Sequence, residues 1–295
     1  MDRKNLLEQK SILKRPLILD GAMGSLLQQQ GFPSDKNLWY SKLNVDNANA
    51  VTNIHKEYIS AGADIITTNT FRTNPTAVRR SAHDLTSEQL VASSVHLALD
   101  ARNANNIIIA GGNPPAQDCY QVDRTITKYE LDYNHKKHIE LLWENKVDLI
   151  WNETHSHWDE IELICKFCSH NSLPYTMNIY FLDSLKILSG EPLSEIVEFV
   201  KSFNPDAIGF NCIKDSTFFK YIDANSLPDR FGFYFNCGAG NITDEIITCG
   251  IDPNDYIENV KPLLKYDPIY IGSCCGSSPA HTKKIKVYFD EVYRN

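Results

Sequence analysis

The chain has 295 residues and a formal net charge of -8, with 29 Lys and Arg spread along it rather than clustered. That distribution excludes the electrostatic footprint of a nucleic-acid or anionic-membrane binder and leaves small molecules as the expected substrates. A polar start, MDRKNLLEQK, and no apolar run near the roughly 20 residues that span a bilayer lead us to expect a soluble, cytoplasmic protein, whose eight cysteines would serve metal, catalysis or burial rather than disulfides.

In chain order, eight short apolar runs alternate with helical stretches. The first strand is predicted at residues 17–21 (LILDG), followed by a long connection at 28–44, which is a candidate substrate loop, and a helix at 51–63. Strands at 64–71, 106–112 and 148–154 are followed by helices at 87–103, 128–146 and 157–171. Strands at 174–180, 207–212, 230–238 and 269–276 are followed by helices at 192–203, 215–225, 252–265 and 278–294. Most of the strands are near-continuously apolar, as strands covered on both faces should be. Ser87, Asp252 with Pro253, and Ser278 with Pro279 supply helix starts. Eight strand-helix repeats without a linker or composition shift predict one domain over residues 1–295, a (β/α)8 TIM barrel. A doubly wound sheet competes weakly, because LILDGAMGSLL has Gly21 and Gly24 but no third glycine.

In a barrel the site lies at the C-terminal ends of the strands. There the sequence offers Asp20 and Gly21, then Thr68, Asn69 and Thr70, then Glu153 and Thr154, then Asn211 and Cys212, and finally Cys274 and Cys275. Adjacent strand residues face opposite ways, so Cys274 and Cys275 can share one ion only if the backbone bends, which Gly272 and Gly276 permit. Three thiolates and an open fourth position describe a catalytic zinc site, whereas a lone cysteine would be a small buried hydrophobe.

The other motifs read more plainly. Cys165 and Cys168 form a C-x-x-C on an amphipathic helix and are expected to pack against the barrel. Cys119 and Cys249 receive no role, while Cys237 lies at a strand end. His155 and His157 follow the fourth strand and are read as loop polarity or as a cap on the next helix. Trp39 is either a core plug or an aromatic face for a sulfonium or quaternary ammonium group, and the residues leave both open.

Taken together, these strand ends resemble the homocysteine S-methyltransferase family. LILDGAMGSLL is similar to the family's D-G-x-M-x-x-x-L, AGADIITTNTF to its second-strand signature, and NET to its E-T after the fourth strand. AIGFNC matches G-x-N-C, and IGSCCGSSPAHT resembles G-G-C-C-G-x-x-P. The resemblance runs from about Leu17 to about Ile285. It implies a (β/α)8 barrel, a Zn2+ cofactor held by Cys212, Cys274 and Cys275, and homocysteine held at its amino and carboxylate ends by Glu153 and the backbone around Asp20, Gly21, Thr68 and Asn69. It places Trp39 near the methyl donor, and it implies methyl transfer to homocysteine from a sulfonium donor, S-methylmethionine or S-adenosylmethionine.

Four departures stand out. Ser273 replaces the second glycine of G-G-C-C, Cys237 fills a small-residue position, Arg72 stands where betaine users carry a tyrosine, and GGNPPAQDCY replaces the usual G-S-x-G-P-Y. Betaine-dependent or cobalamin-partnered methyl transfer, and a non-enzymatic zinc or thiol-redox protein, are the competing readings. The oligomeric state is not readable from the sequence.

Overall fold

A computed structural model describes residues 3–103, 105–241 and 244–293. Its strands are β1 (Leu17–Ile18), β2 (Ile65–Thr67), β3 (Ile108–Asn113), β4 (Leu149–His155), β5 (Tyr175–Ile179), β6 (Ala207–Asn211), β7 (Phe231–Phe235) and β8 (Tyr270–Ser273). All pair in parallel in the order β1-β8-β7-β6-β5-β4-β3-β2. The ring closes through a bridge between Leu19 and Ile65, where Asp20 N donates to Ile65 O at 2.9 Å. The predicted eight-stranded barrel is therefore present, with shorter strands: the predicted runs at 17–21, 64–71, 230–238 and 269–276 overshoot because their last residues leave the ladder to build the rim.

The helices are α1 (Leu6–Leu13), α2 (Gly24–Gln29), α3 (Leu43–Asp46), α4 (Ala48–Ala61), α5 (Pro75–Arg80), α6 (Ser87–Arg102), α7 (Lys128–Glu144), α8 (Trp158–His170), α9 (Leu193–Lys201), α10 (Asp215–Ala224), α11 (Pro253–Val260) and α12 (Pro279–Val292). Eight of them, α4 and α6 to α12, match the predicted helices to within a few residues. Thr86 rather than Ser87 caps α6, because its hydroxyl reaches Gln89 N while Gln89 answers back to the cap. Asp252 caps α11 as expected. Among the described residues, no helix is long and apolar enough to cross a membrane.

Two apolar layers result. Inside the barrel Leu17, Leu19, Ile65, Ile108, Trp151, Tyr234 and Tyr270 form one buried cluster, with Leu6 of α1 plugging its floor. Gly232 leaves room there for the Tyr270 ring, which would lie 2.3 Å from an added Cβ. The second layer lies between strands and helices and contains Cys165 and Cys168, both fully buried, so their expected packing role holds. At the N-terminal end, Arg102 pairs with Asp148 at 2.8 Å and Arg15 with Asp64 at 2.6 Å. Those carboxylates also accept from Ile109 N and Ile18 N, which fixes strand starts rather than building a site.

Candidate functional site

The rim is assembled by local breaks in the ladder. β8 ends at Ser273, so Cys274 and Cys275 lie in the turn beyond it, and Gly276 completes that turn at φ +82°, where a side chain would be strained. Gly272 needs no unusual φ; it is small because an added Cβ would sit 2.7 Å from Leu19 Cβ. Across the rim Cys212, just past β6, also takes a left-handed conformation at φ 56°. These two departures from strand geometry let three sulfurs converge: Cys212 Sγ lies 3.0 Å from Cys274 Sγ and 3.6 Å from Cys275 Sγ, and the latter pair are 4.0 Å apart. Ser25 and Ser277 tie the cysteine turn to the first strand's turn, through Gly276 N at 3.0 Å and Ala22 N at 3.1 Å.

The thiols do not titrate alike. Hydrogen bonds from Cys274, Cys275 and the Tyr120 hydroxyl, the last at 3.0 Å, hold Cys212 well below the usual thiol range. Donating to Cys212 holds Cys274 and Cys275 well above it. All eight cysteines are free, and around a metal with 2.3 Å bonds to sulfur a tetrahedral set would be spaced at about 3.8 Å, so the observed separations fit one ion with small adjustments. The soft donor set favours zinc among common divalent ions.

Beside the sulfurs stand two carboxylates. Burial raises Asp20 to about 8 even though Thr67 N and Thr67 Oγ1 donate to it. Burial also raises Glu153 to about 8, and the charges of Asp20 and Cys212 push the same way. Such a pair calls for a cation. Glu153 is aimed by a break in β4: the register shifts between Asn152 and His155, and Thr154 sits at φ 62°. The freed Thr154 N and its hydroxyl are both bound by the Asn211 amide, at 3.0 and 2.8 Å. Gly112 gives the carboxylate space, since an added Cβ would stand 3.0 Å from Glu153 Oε1.

The remaining predicted residues fall around this centre. Gly21 is wedged between the Ser277 and Tyr58 hydroxyls, 2.6 and 2.8 Å from where its Cβ would be. Thr68 and Thr70 share a 2.8 Å hydroxyl contact, and Thr68 accepts from Gly112 N at 3.0 Å. The Asn69 amide binds Tyr40 O and Asn44 Oδ1, anchoring the first loop. Trp39, at φ 51°, lies over Gly24 and meets Phe71 edge-on with centroids 5.9 Å apart. It is half-buried against the core, as a plug would be. The Arg72 guanidinium donates to Gln117 O at 3.0 Å, so it braces the loop after β3.

Two expectations need correction. His155 lies inside β4 rather than after it, and its ring nitrogen donates to Asn113 O at 3.0 Å. His157 stands at the start of α8 but its Nε2 bonds Val122 O, and no side-chain bond caps the helix. His155 belongs instead to a fully buried network. Thr73 donates to His138 Nε2, His138 Nδ1 to Asn113 Oδ1, Asn113 Nδ2 to His135 Nδ1 and His135 Nε2 to Glu160 Oε1. Cys237 is also settled: its side chain is buried in the core and its backbone N donates to Cys275 O at 2.8 Å, so it supports the turn.

Sequence reasoning missed Tyr120 and Asn236, and it placed Asn211 on the rim without its part in fixing Thr154. Tyr120 had a signal, because GGNPPAQDCY still ends in the tyrosine that closes the family's G-S-x-G-P-Y. The Asn236 amide donates to Cys212 Sγ at 3.7 Å.

A (β/α)8 barrel whose C-terminal rim gathers three thiols close enough to hold one metal ion, beside the buried Asp20 and the half-buried Glu153, has the layout of a barrel enzyme. The chain belongs to the homocysteine S-methyltransferase family, whose pattern matches residues 17–289. It is 28% identical to the homocysteine S-methyltransferase of Escherichia coli (strain K12) over 228 residues, 70% of this chain and 71% of that one. It is 24% identical to homocysteine S-methyltransferase 4 of Zea mays, covering 91% and 87% of the two chains. The fold is shared with the metallated form of the homocysteine methyltransferase MmuM from Escherichia coli, at TM-score 0.78 and 24% identity over 96% of this chain and 100% of that one.

Proposed function

We propose that this enzyme transfers a methyl group from a sulfonium donor, S-methylmethionine or S-adenosylmethionine, to the thiol of homocysteine, giving methionine, with zinc held by Cys212, Cys274 and Cys275. The observation that carries the reading is the set of three sulfurs within 4.0 Å of one another on the rim that also bears Asp20 and Glu153.

The reaction needs a thiolate, and a free thiol near pKa 8.5 is mostly the wrong species at neutral pH. Bound zinc supplies a Lewis acid that makes the substrate sulfur a thiolate under those conditions. The chain's own residues do the rest. Glu153 and Asp20, both raised by burial, ionise as the substrate ammonium arrives and hold that end of homocysteine. The backbone at Gly21, Thr68 and Asn69 holds the carboxylate end. Asn211 keeps Glu153 aimed by fixing Thr154. The homocysteine sulfur then forms a bond to the methyl carbon as the donor's sulfur-methyl bond breaks, and that electron pair neutralises the sulfonium. Trp39 offers the donor an indole face.

Zinc-loaded protein with homocysteine and, in turn, S-methylmethionine, S-adenosylmethionine, betaine or a methylated folate tests the reading. Methionine is expected with a sulfonium donor. Turnover with betaine alone would overturn the donor assignment, and no methionine with any donor would overturn the function.

A further inference from the structure

Two departures from the family pattern, Arg72 and the loop GGNPPAQDCY, are in contact. The loop leaves β3 at Asn113 and forms no helix or strand before α7, yet it carries the Tyr120 hydroxyl to 3.0 Å from Cys212 Sγ. A segment of that kind holds a side chain in place only where its backbone groups are bound from outside. Glu160 does so at the near end, accepting from Ala116 N at 3.0 Å, and His157 at the far end, through Val122 O at 3.1 Å. Between those anchors Arg72 takes hold. One terminal nitrogen donates to Gln117 O at 3.0 Å, and the other pairs with Asp118 Oδ2 at 3.4 Å. The second oxygen of Asp118 accepts from Tyr120 N at 2.9 Å. Contacts thus run without a gap from Arg72 through Asp118 to the Tyr120 backbone, and from the Tyr120 hydroxyl to the thiol.

We propose that Arg72 is a positioning residue for Tyr120: its guanidinium orients Asp118, Asp118 orients Tyr120, and the hydroxyl is thereby kept on Cys212. The assignment rests on the metal site proposed above, because its consequence is read there. Arg72 is itself fixed from the opposite side. Its backbone N donates to Ser41 Oγ at 3.2 Å, and its guanidinium lies 5.6 Å from the centre of the Phe71 ring, the ring that Trp39 meets edge-on. Arg72 therefore joins the first loop, which carries Trp39, to the loop after β3, which carries Tyr120. The planar fork of an arginine engages two acceptors at once, whereas a lysine ammonium on a single stem is a point charge without that geometry. A tyrosine at this position has one O–H to donate and could not take both Gln117 O and Asp118. The two departures form one unit.

Zinc affinity, read by chelator competition, tests the assignment in Arg72→Met, in Asp118→Ala, and in each of these combined with Tyr120→Phe. Asp118 is exposed, so its truncation is compatible with folding even where the loss of Arg72 is not. We expect each single variant to weaken zinc binding about two- to tenfold, the range that one hydrogen bond spans, and neither to weaken it further once Tyr120→Phe is present. Arg72→Lys, which can keep one of the two contacts, should recover part of the affinity. A role confined to holding the fold would instead multiply with the Tyr120→Phe loss. Unchanged affinity in both single variants, or losses that multiply with Tyr120→Phe, would overturn the positioning role and leave the metal site standing. Wild-type protein that takes up no zinc would overturn it together with the functional reading.

Discussion

Cys212, Cys274 and Cys275 at the ends of β6 and β8, and His135, His155 and Glu160 behind β4, each bring three ligand atoms within 4.8 Å of one another. They differ in what their lone pairs already do. The sulfurs are weak hydrogen-bonding groups that face one another and a cleft, so an ion would replace poor contacts with strong ones. In the other group His135 Nε2 spends its hydrogen on Glu160, His155 Nε2 spends its own on Asn113 O, and Arg124 brings a positive charge within 3.4 Å of the Glu160 carboxylate. An ion there would have to displace hydrogen bonds and sit beside a cation. Proximity of ligand types is thus a poor guide by itself; the state of the lone pairs decides.

The largest contrast should appear in metal content. Wild-type protein is expected to hold about one zinc per chain, Cys274→Ala with Cys275→Ala none, and His155→Ala the wild-type amount, measured by elemental analysis after dialysis. Two equivalents, or retention in the double cysteine variant, would break the comparison.

Stability should separate the groups next. Glu160 is pushed up by burial yet held well below the usual carboxylate range by the hydrogen bond from His135 and by the neighbouring His155 ring. Removing its charge in Glu160→Gln strands those partners and should cost about 3 to 5 kcal/mol in urea unfolding, with zinc content unchanged. Because its folded pKa is depressed, its contribution is present at neutral pH and lost only in acid. Asp20 and Glu153, raised to about 8, behave oppositely. They favour the metal-free fold below about pH 4.5 and weaken it as pH climbs toward 8, so Glu153→Gln should flatten that alkaline decline.

The same Glu153→Gln variant should raise the homocysteine KM by roughly 10- to 100-fold, since a charge-assisted hydrogen bond of about 1.5 to 3 kcal/mol is lost. An unchanged KM would remove Glu153 from the substrate site. The smallest effect belongs to Tyr120→Phe, which deletes the hydroxyl donated to Cys212. About 0.5 to 1.5 kcal/mol of zinc affinity should go with it, read by chelator competition, because a ligand's outer partner tunes the ligand without replacing it.

The contrast also marks what the sequence could say. The eight strands and the helices following them were legible because each is a short apolar or amphipathic run with local stop signals. The cysteine triad was legible because glycines bracket Cys274 and Cys275 and because G-x-N-C and C-C-G-x-x-P occur together. The β4 bulge that aims Glu153 was not, since it depends on Asn211 arriving from another strand. His155 was misplaced for a related reason: its partners Asn113 and Glu160 lie on other elements, and no local pattern distinguishes a strand-end histidine from a loop one. Helices α1, α2, α3 and α5 escaped because the first precedes the strand-helix repeat and the others are six residues long or fewer.

Zinc-edge X-ray absorption of the loaded enzyme, with and without homocysteine, tests the central claim most directly. If Cys212, Cys274 and Cys275 hold the ion and present it to the substrate thiol, the spectrum should show about three sulfur neighbours alone and about four with homocysteine. A first shell dominated by nitrogen and oxygen, or a sulfur count that homocysteine leaves unchanged, would contradict it.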